Sequence, residues 1–371
     1  MRIGIFVVEA GRSAGGPETY EIHMLRALAN LDRTNEYFIY CTHQGAIDAI
    51  GVRQDNFTYR LLRPTSRWLS IPVSLPVQLV RDGVRFFHAT MVPPPWSPKD
   101  YCMSVLCFSN WSHPEFYPKH VLRRLNYLLE IGLREAKYLL CNSANLRDDI
   151  QRAFHIAPER LSVTHLGVGP EFSPMPGEEA RALLRERHGI DYPYVLFVGK
   201  HQERKNVFRV IEAYARYRGE TGTESKLLLV GRAPSTEDAI HAKIIEQGVL
   251  GHVERIRYIP YEGLRPLYAA ADMFLFPSLW EGFGLPVIES MSCATPVVTS
   301  NVTSLPEIAG DAAVVIDPES TEQLIEGMVR IHDDAGFREA LVARGRERAA
   351  RFTWDACARA TMETYERMAA A

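Results

Sequence analysis

Short apolar runs alternate along the chain with segments in which apolar residues return every three or four positions. That alternation is the pattern of strands and amphipathic helices taking turns. Arg2 to Val8 predicts a first strand, and Tyr20, Met24, Leu25, Leu28 and Leu31 mark the inner face of a helix after it. Further strands are expected at Glu36 to Cys41, Asn56 to Leu62, Arg85 to Thr90, Tyr101 to Phe108 and Tyr138 to Cys141, with Val163 to Val168 closing this half. Amphipathic spacing predicts a helix over His120 to Glu135, and Ser143 caps another from Ala144. The stretch from Arg63 to Arg81 mixes prolines with Trp68, Leu69 and Ile71 and fits neither period.

Pro170 to Glu179 is polar and reads as a linker, after which the alternation resumes. Strands are expected at Tyr194 to Val198, Lys226 to Val230, Arg255 to Ile259, Ala271 to Phe276, Pro296 to Val298 and Ala313 to Ile316. Between and after them come helices at Val207 to Tyr217, Thr236 to Gln247, Leu264 to Ala270 and Pro286 to Cys293, and from Thr321 and Ala335. A last helix, Trp354 to Met368, is placed to cross back to the first half. Two successive α/β runs predict two doubly wound parallel sheets, with a ligand beyond the C-terminal strand ends in a cleft between them. The expected domains are 1–170, 171–352 and a returning helix at 353–371.

Composition narrows the class without naming a chemistry. At 371 residues the chain exceeds what one core usually supports. A net charge of -3 gives no general attraction to nucleic acid. The 6 cysteines are scattered without metal-ligand or disulfide spacing, and no apolar run approaches a membrane span, so a cytoplasmic protein with reduced thiols is expected.

The chemistry concentrates after the strand Ala271 to Phe276. Glu281, Gly282, Phe283, Gly284, Leu285 and Pro286 make a tight turn into a helix that carries Glu289. Glycines let backbone approach a ligand, and a helix start gathers unpaired N–H groups suited to phosphate. Such turns also occur as plain connections in α/β proteins, so the remaining chain has to decide. After the strand Tyr194 to Val198, Arg204 and Lys205 precede a helix start; together they suit a diphosphate, and equally a solvated basic turn. Gly15 and Gly16 follow the first strand outside the dinucleotide pattern G-x-G-x-x-G. His88 ends its strand at the same edge, where it serves either a ligand or the core. No Asp-x-Asp is present, so no diphosphate-bound metal and no cofactor is expected.

Glu281 and Glu289, with the glycine loop between, resemble the E-x7-E motif of retaining GT-B glycosyltransferases, family 4. Gly15-Gly16, His88, Glu203-Arg204-Lys205-Asn206 and Ser304-Leu305-Pro306-Glu307 stand in the matching order. The resemblance implies the GT-B architecture and transfer of a sugar from a nucleotide-sugar to an acceptor hydroxyl with retained configuration. By similarity Glu289 meets the ribose, Glu281 the donor sugar, and Gly282, Phe283, Gly284 and Leu285 the sugar and phosphate. Arg204 and Lys205 then face the departing diphosphate, Gly15 and Gly16 approach it, and His88 lies near the anomeric centre.

Within the group, the pattern is closest to mannosyltransferases of surface-polysaccharide assembly, which implies GDP-mannose and a glycan or lipid-linked glycan acceptor. UDP-sugar transfer and nucleotide-sugar epimerisation remain alternatives, as does a sensor that binds without turnover; a glycoside hydrolase would need no basic phosphate turn. Arg63, Arg67, Trp68, Leu69, Ile71 and the Arg123-Arg124 helix form an expected peripheral membrane patch, placed at the inner membrane face. Two departures stand out. Ser109-Asn110-Trp111-Ser112-His113 replaces a common His-Asp pair, and Ala294 replaces a common glycine.

Overall fold

The computed structural model describes residues 1–233 and 236–370, so the expected segments 171–352 and 353–371 are followed apart from 234, 235 and 371. Two units are present, Met1–Gly167 together with Thr353–Ala371, and Val168–Phe352.

Among the described residues the first unit holds β1 (Arg2–Val7), β2 (Glu36–Cys41), β3 (Phe57–Leu61), β4 (Phe86–Ala89), β5 (Tyr101–Val105), β6 (Tyr138–Cys141) and β7 (Leu161–Val163). They form one parallel sheet in the order β3-β2-β1-β4-β5-β6-β7. Helices on both faces explain why these strands read as unbroken apolar runs. The helix Trp354–Ala370 packs here: Trp354 stacks on His23 at 5.3 Å and Arg367 donates to Ser162 Oγ at 3.1 Å. Where the returning chain passes Gly167, a Cβ would stand 2.2 Å from the Trp354 nitrogen, so only glycine fits.

The second unit holds β8 (Tyr194–Val198), β9 (Lys226–Val230), β10 (Val253–Ile256), β11 (Met273–Phe276), β12 (Val297–Ser300) and β13 (Val314–Ile316), again parallel, in the order β10-β9-β8-β11-β12-β13. Val195, Phe197, Leu227, Leu229, Leu275 and Val298 sit at the centre of its core, packed against Tyr214, Ile240 and Leu324 from the helices. Chain order reverses between β8 and β11 here, and between β1 and β4 in the first sheet. At such a switch point the two adjacent connections run to opposite faces and leave a crevice at the strand ends.

Several expectations change. The unassigned stretch from Arg63 to Arg81 is helical: Arg67–Leu69, a wide π turn at Ser70–Ser74, then Leu75–Arg81. Pro72 and Pro76 lack the N–H of a regular ladder, which masked the period and suits a widened turn. A helix over Gly177–His188 begins inside the expected linker; Glu178 and Glu179 in its first turn, Arg185 and Arg187 in its last, and left-handed Gly189 beyond it are ordinary helix signals. A helix at Gln44–Ile50 joins the set. β5 stops at Val105 instead of Phe108, and β7 spans Leu161–Val163 instead of running to Val168.

Candidate functional site

The switch point of the second sheet gathers the basic turn and the glycine loop. After β8, a short turn at Glu203–Lys205 ends in Asn206, held left-handed at φ 60. Asn206 Nδ2 donates to the carbonyls of Pro277 at 3.1 Å and Pro318 at 2.7 Å, tying the connection after β8 to the one after β11. Leu279 N–H adds a bond to the Arg204 carbonyl at 2.9 Å. Thus fixed, Arg204 Nη1 donates to the Trp280 carbonyl at 2.6 Å and stands 3.2 Å from Glu281 Oε1. Lys205 Nζ bonds the same carboxylate oxygen and lies 4.4 Å from the centre of the Phe276 ring. Burial alone pushes the Glu281 carboxyl up, but Lys205 and Arg204 beside it outweigh this and hold it below its ordinary value.

The loop itself is clamped from β12. Glu281 N–H donates to Thr303 Oγ1 at 3.1 Å, while Ser304 Oγ donates to the carbonyls of Glu281 at 3.1 Å and Phe283 at 2.8 Å. Gly282 leads into Gly284 at φ 108, where a Cβ would stand 2.8 Å from Leu305 Cδ2, so the turn into the helix Leu285–Ser292 requires glycine. One helical turn further, Glu289 is buried and accepts from Tyr268 Oη at 3.1 Å. Burial raises its carboxyl to about 7, against the downward pull of bonds from Tyr268 and Tyr261. The two acids of the sequence pair therefore differ in kind: Glu281 is an ionised anchor for two cations, and Glu289 a carboxyl poised near neutrality.

In the first unit Gly15 takes φ 75 and precedes the helix Gly16–Leu31. Two carboxylates of that helix shape the loop before it. Glu18 accepts from the N–H groups of Gly11 at 2.8 Å and Ala14 at 2.7 Å; Glu21 accepts from Val8, Glu9 and Ala10 at 2.8, 2.7 and 2.7 Å and from Thr90 Oγ1 at 2.5 Å. Neither carboxylate was singled out in the sequence. Acids at the third and sixth positions of the helix after a glycine-rich turn were the available signal.

His88 lies inside its own unit. Its ring is fully buried, with Nδ1 2.8 Å from Tyr365 Oη and Nε2 2.7 Å from Ser104 Oγ. Burial depresses its pKa to about 3. It lies within β4, inside the expected strand Arg85 to Thr90, and its ring meets the helix Trp354–Ala370. These two bonds are those of a packed histidine, the core role that the sequence left open beside a ligand role. Ala294 keeps the left-handed turn of the glycine it replaces, at φ 65. Thr303, Tyr261 and Tyr268 complete the site, and nothing in one-dimensional spacing links them to it, whereas Asn206 belongs to the motif Glu203 to Asn206. Among the described residues no cluster of His, Cys, Asp or Glu is arranged to hold a metal ion.

Comparison with known proteins bears on the family and the fold. Residues 181–348 match the family model of glycosyl transferases group 1. The chain is 35% identical over 254 residues to the O-antigen chain mannosyltransferase B of Escherichia coli, covering 68% of this chain and 66% of that protein. It is 25% identical over 277 residues to the serotype-specific mannosyltransferase WbdA of Escherichia coli, covering 74% of this chain and 34% of that one. The chain thus spans from a third to just under two thirds of the length of these relatives. Among solved structures, sucrose-phosphate synthase from Thermosynechococcus elongatus superposes with a TM-score of 0.80 at 22% identity, over 100% of this chain and 99% of that one. Anabaena HepE in complex with UDP and glucose gives 0.79 at 18% identity, over 99% and 100%.

Proposed function

Because this chain belongs to the group 1 glycosyl transferases and has the GT-B fold of two parallel α/β domains, we propose that it moves a mannosyl group from GDP-mannose to a hydroxyl of a growing surface glycan, with retention at the anomeric carbon. The observation that supports this best is the cluster of Arg204, Lys205 and Glu281 at the switch point of the second sheet, beside a glycine turn and a helix start. Two cations share one carboxylate, which leaves one positive charge in a largely buried place. That is an environment for a diphosphate whose charge grows during reaction.

In this reading the bond between the anomeric carbon and the diphosphate oxygen breaks, and its electron pair stays on the phosphate. The acceptor oxygen bonds to the same face of the carbon, and its proton passes to the departing phosphate oxygen. Arg204 and Lys205 stabilise the charge on that oxygen. Glu281 orients both and accepts from donor-sugar hydroxyls, while Glu289 meets the ribose. N–H groups of Gly282, Phe283, Gly284 and Leu285 contact the sugar and phosphate, and the Gly15-Gly16 turn is a second phosphate-approaching element. Side-chain cations take the role a metal has in Asp-x-Asp enzymes, so transfer is expected to persist in EDTA.

Mannose is chosen over other sugars by likeness to relatives named as mannosyltransferases. A UDP-sugar donor is the second reading, favoured by the UDP and glucose bound in HepE. Thermal-shift titration with GDP, UDP, GDP-mannose and UDP-glucose separates the two, since a ligand bound only by the folded state raises its stability. Transfer of label to a lipid-linked glycan, with an α-linked product by NMR, tests reaction and stereochemistry. Binding of no nucleotide overturns the proposal.

Peripheral membrane contact also belongs to this reading. Trp68 is 73% exposed with Leu69 and Val73 near it in sequence, and the Arg124 guanidinium lies 5.5 Å from the Trp68 ring centre. An exposed indole beside a cation suits an anionic lipid surface. Arg67 takes no part, because it donates to the Val8 carbonyl at 2.6 Å and pairs with Glu9 at 3.1 Å. Among the described residues no helix is long and apolar enough to cross a membrane. Anionic vesicles should retain the protein, and the double variant Trp68→Ala, Arg124→Ala should release it; vesicles that fail to bind the wild type end the idea.

A further inference from the structure

The first unit carries a second concave surface, unconnected with any residue assigned above. The proline-rich connection from β4 to β5 and the helix Lys119–Glu135 enclose a cavity of about 750 Å³. A neighbouring hollow of about 450 Å³ shares Asp100, Arg134 and Glu135 with it, so the two form one elongated groove. The larger lies within the roughly 300–1,000 Å³ of small-ligand sites.

Its lining is of an uncommon kind. Trp96 is 54% exposed and Tyr127 63% exposed, two aromatic rings left in water at the groove wall. Around them the charges cancel: four Lys or Arg and four Asp or Glu side chains line the two hollows. Several are already paired, Arg134 with Glu130 at 2.9 Å and Lys137 with Asp100 at 3.3 Å. Tyr101, buried to 4% exposure in the same wall, has a hydroxyl with no hydrogen-bond partner among the described residues. That oxygen is shielded from the groove, so the exposed rings and the charged groups form the surface a ligand meets.

This balance of charge selects against an anionic ligand. Phosphate, nucleic acid and acidic lipid need a net positive surface, and this groove has none. A purely apolar ligand would strip water from the exposed Asp100, Glu130 and Arg134 side chains without replacing it. A neutral pyranose meets all the requirements, because its C–H face packs on an aromatic ring while its hydroxyls both donate to carboxylates and accept from guanidinium and phenol groups. An elongated groove with two rings fits a chain of such sugars.

The geometry points to a glycan-holding groove here, which binds an uncharged oligosaccharide away from the reacting residues. That its occupant is the acceptor chain rests on the transferase reading; that it binds neutral glycan does not.

The test is calorimetric titration of the full chain with linear mannotetraose, cellotetraose and maltotetraose. At least one is expected to bind, and Trp96→Ala to weaken it about tenfold or more, the loss of an anchor ring. Trp96 is exposed, so this variant keeps the fold. Tyr127→Ala removes the second exposed ring and is expected to weaken binding several-fold; unchanged affinity in this variant would count against the two-ring groove. Thermal shifts by nucleotides and slow donor hydrolysis should be unaltered in both variants. The groove is overturned if none of the three sugars binds the wild type at millimolar concentration, if binding survives Trp96→Ala, or if that substitution instead abolishes retention on phosphatidylglycerol vesicles. Glycan binding without any nucleotide binding would sink the transferase reading and leave the groove standing.

Discussion

Lys205 and Glu281 lie 76 residues apart and form a buried ion pair that joins the connection after β8 to the connection after β11. Removing one partner of such a pair leaves a charge short of company in a place with little water. The pair also aims the ammonium, with the phenyl ring of Phe276 under it, so the proposed role in catalysis and the role in stability are separable by experiment.

Lys205→Ala is expected to lower turnover by about a hundredfold or more while weakening binding of the free nucleoside diphosphate far less. Steady-state kinetics beside calorimetric nucleotide titration measures the split. Equal losses in both would remove the transition-state role. Stability should fall by roughly 1–3 kcal/mol, since Glu281 keeps Arg204 as a partner.

His88→Ala tests the opposite assignment. Loss of a fully buried ring and of its bonds to Tyr365 and Ser104 is expected to cost about 2–4 kcal/mol. The thermal shift produced by saturating donor should be unchanged. A variant that unfolds like the wild type but no longer binds donor would return His88 to the site.

Glu289 predicts a pH dependence. Its carboxyl titrates near 7 in the folded protein against an ordinary 4.5, because burial disfavours the charged form. The folded state therefore holds this proton more tightly than the unfolded chain does. The contribution to stability is full below the unfolded value and is lost as pH rises through about 7. Glu21, also raised to about 7 by burial, acts in the same direction. Thermal unfolding midpoints at about pH 5 and about pH 8 should thus differ less in Glu289→Gln than in the wild type. An unchanged difference would mean that Glu289 does not titrate in this window.

Ala294→Gly is expected to raise stability by about 0.5–1 kcal/mol, seen as a higher unfolding midpoint. The Cβ of a left-handed alanine is strained by about 1–2 kcal/mol, and glycine gives back part of that gain in unfolded-state entropy. Ala294 lies two residues beyond the helix Leu285–Ser292, so kinetic constants should not move. A lower midpoint would show that the alanine methyl packs well enough to outweigh its strain.

What the sequence determined alone is what short-range physics controls. Parallel strands covered on both faces read as apolar runs, helices keep their period, and turns that require glycine show it, so both sheets and the turn from Glu281 to Leu285 were legible. Where local signals cancel, reading failed: prolines hid the helical path from Arg67 to Arg81, and a polar surface hid the helix Gly177–His188. Tertiary structure alone decided which acids and bases meet. Arg204, Lys205 and Glu281 converge because the order of strands places β8 beside β11, a choice made by packing of the whole sheet. The same packing set the His88 ring between Tyr365 and Ser104, partners 277 and 16 residues away in the chain.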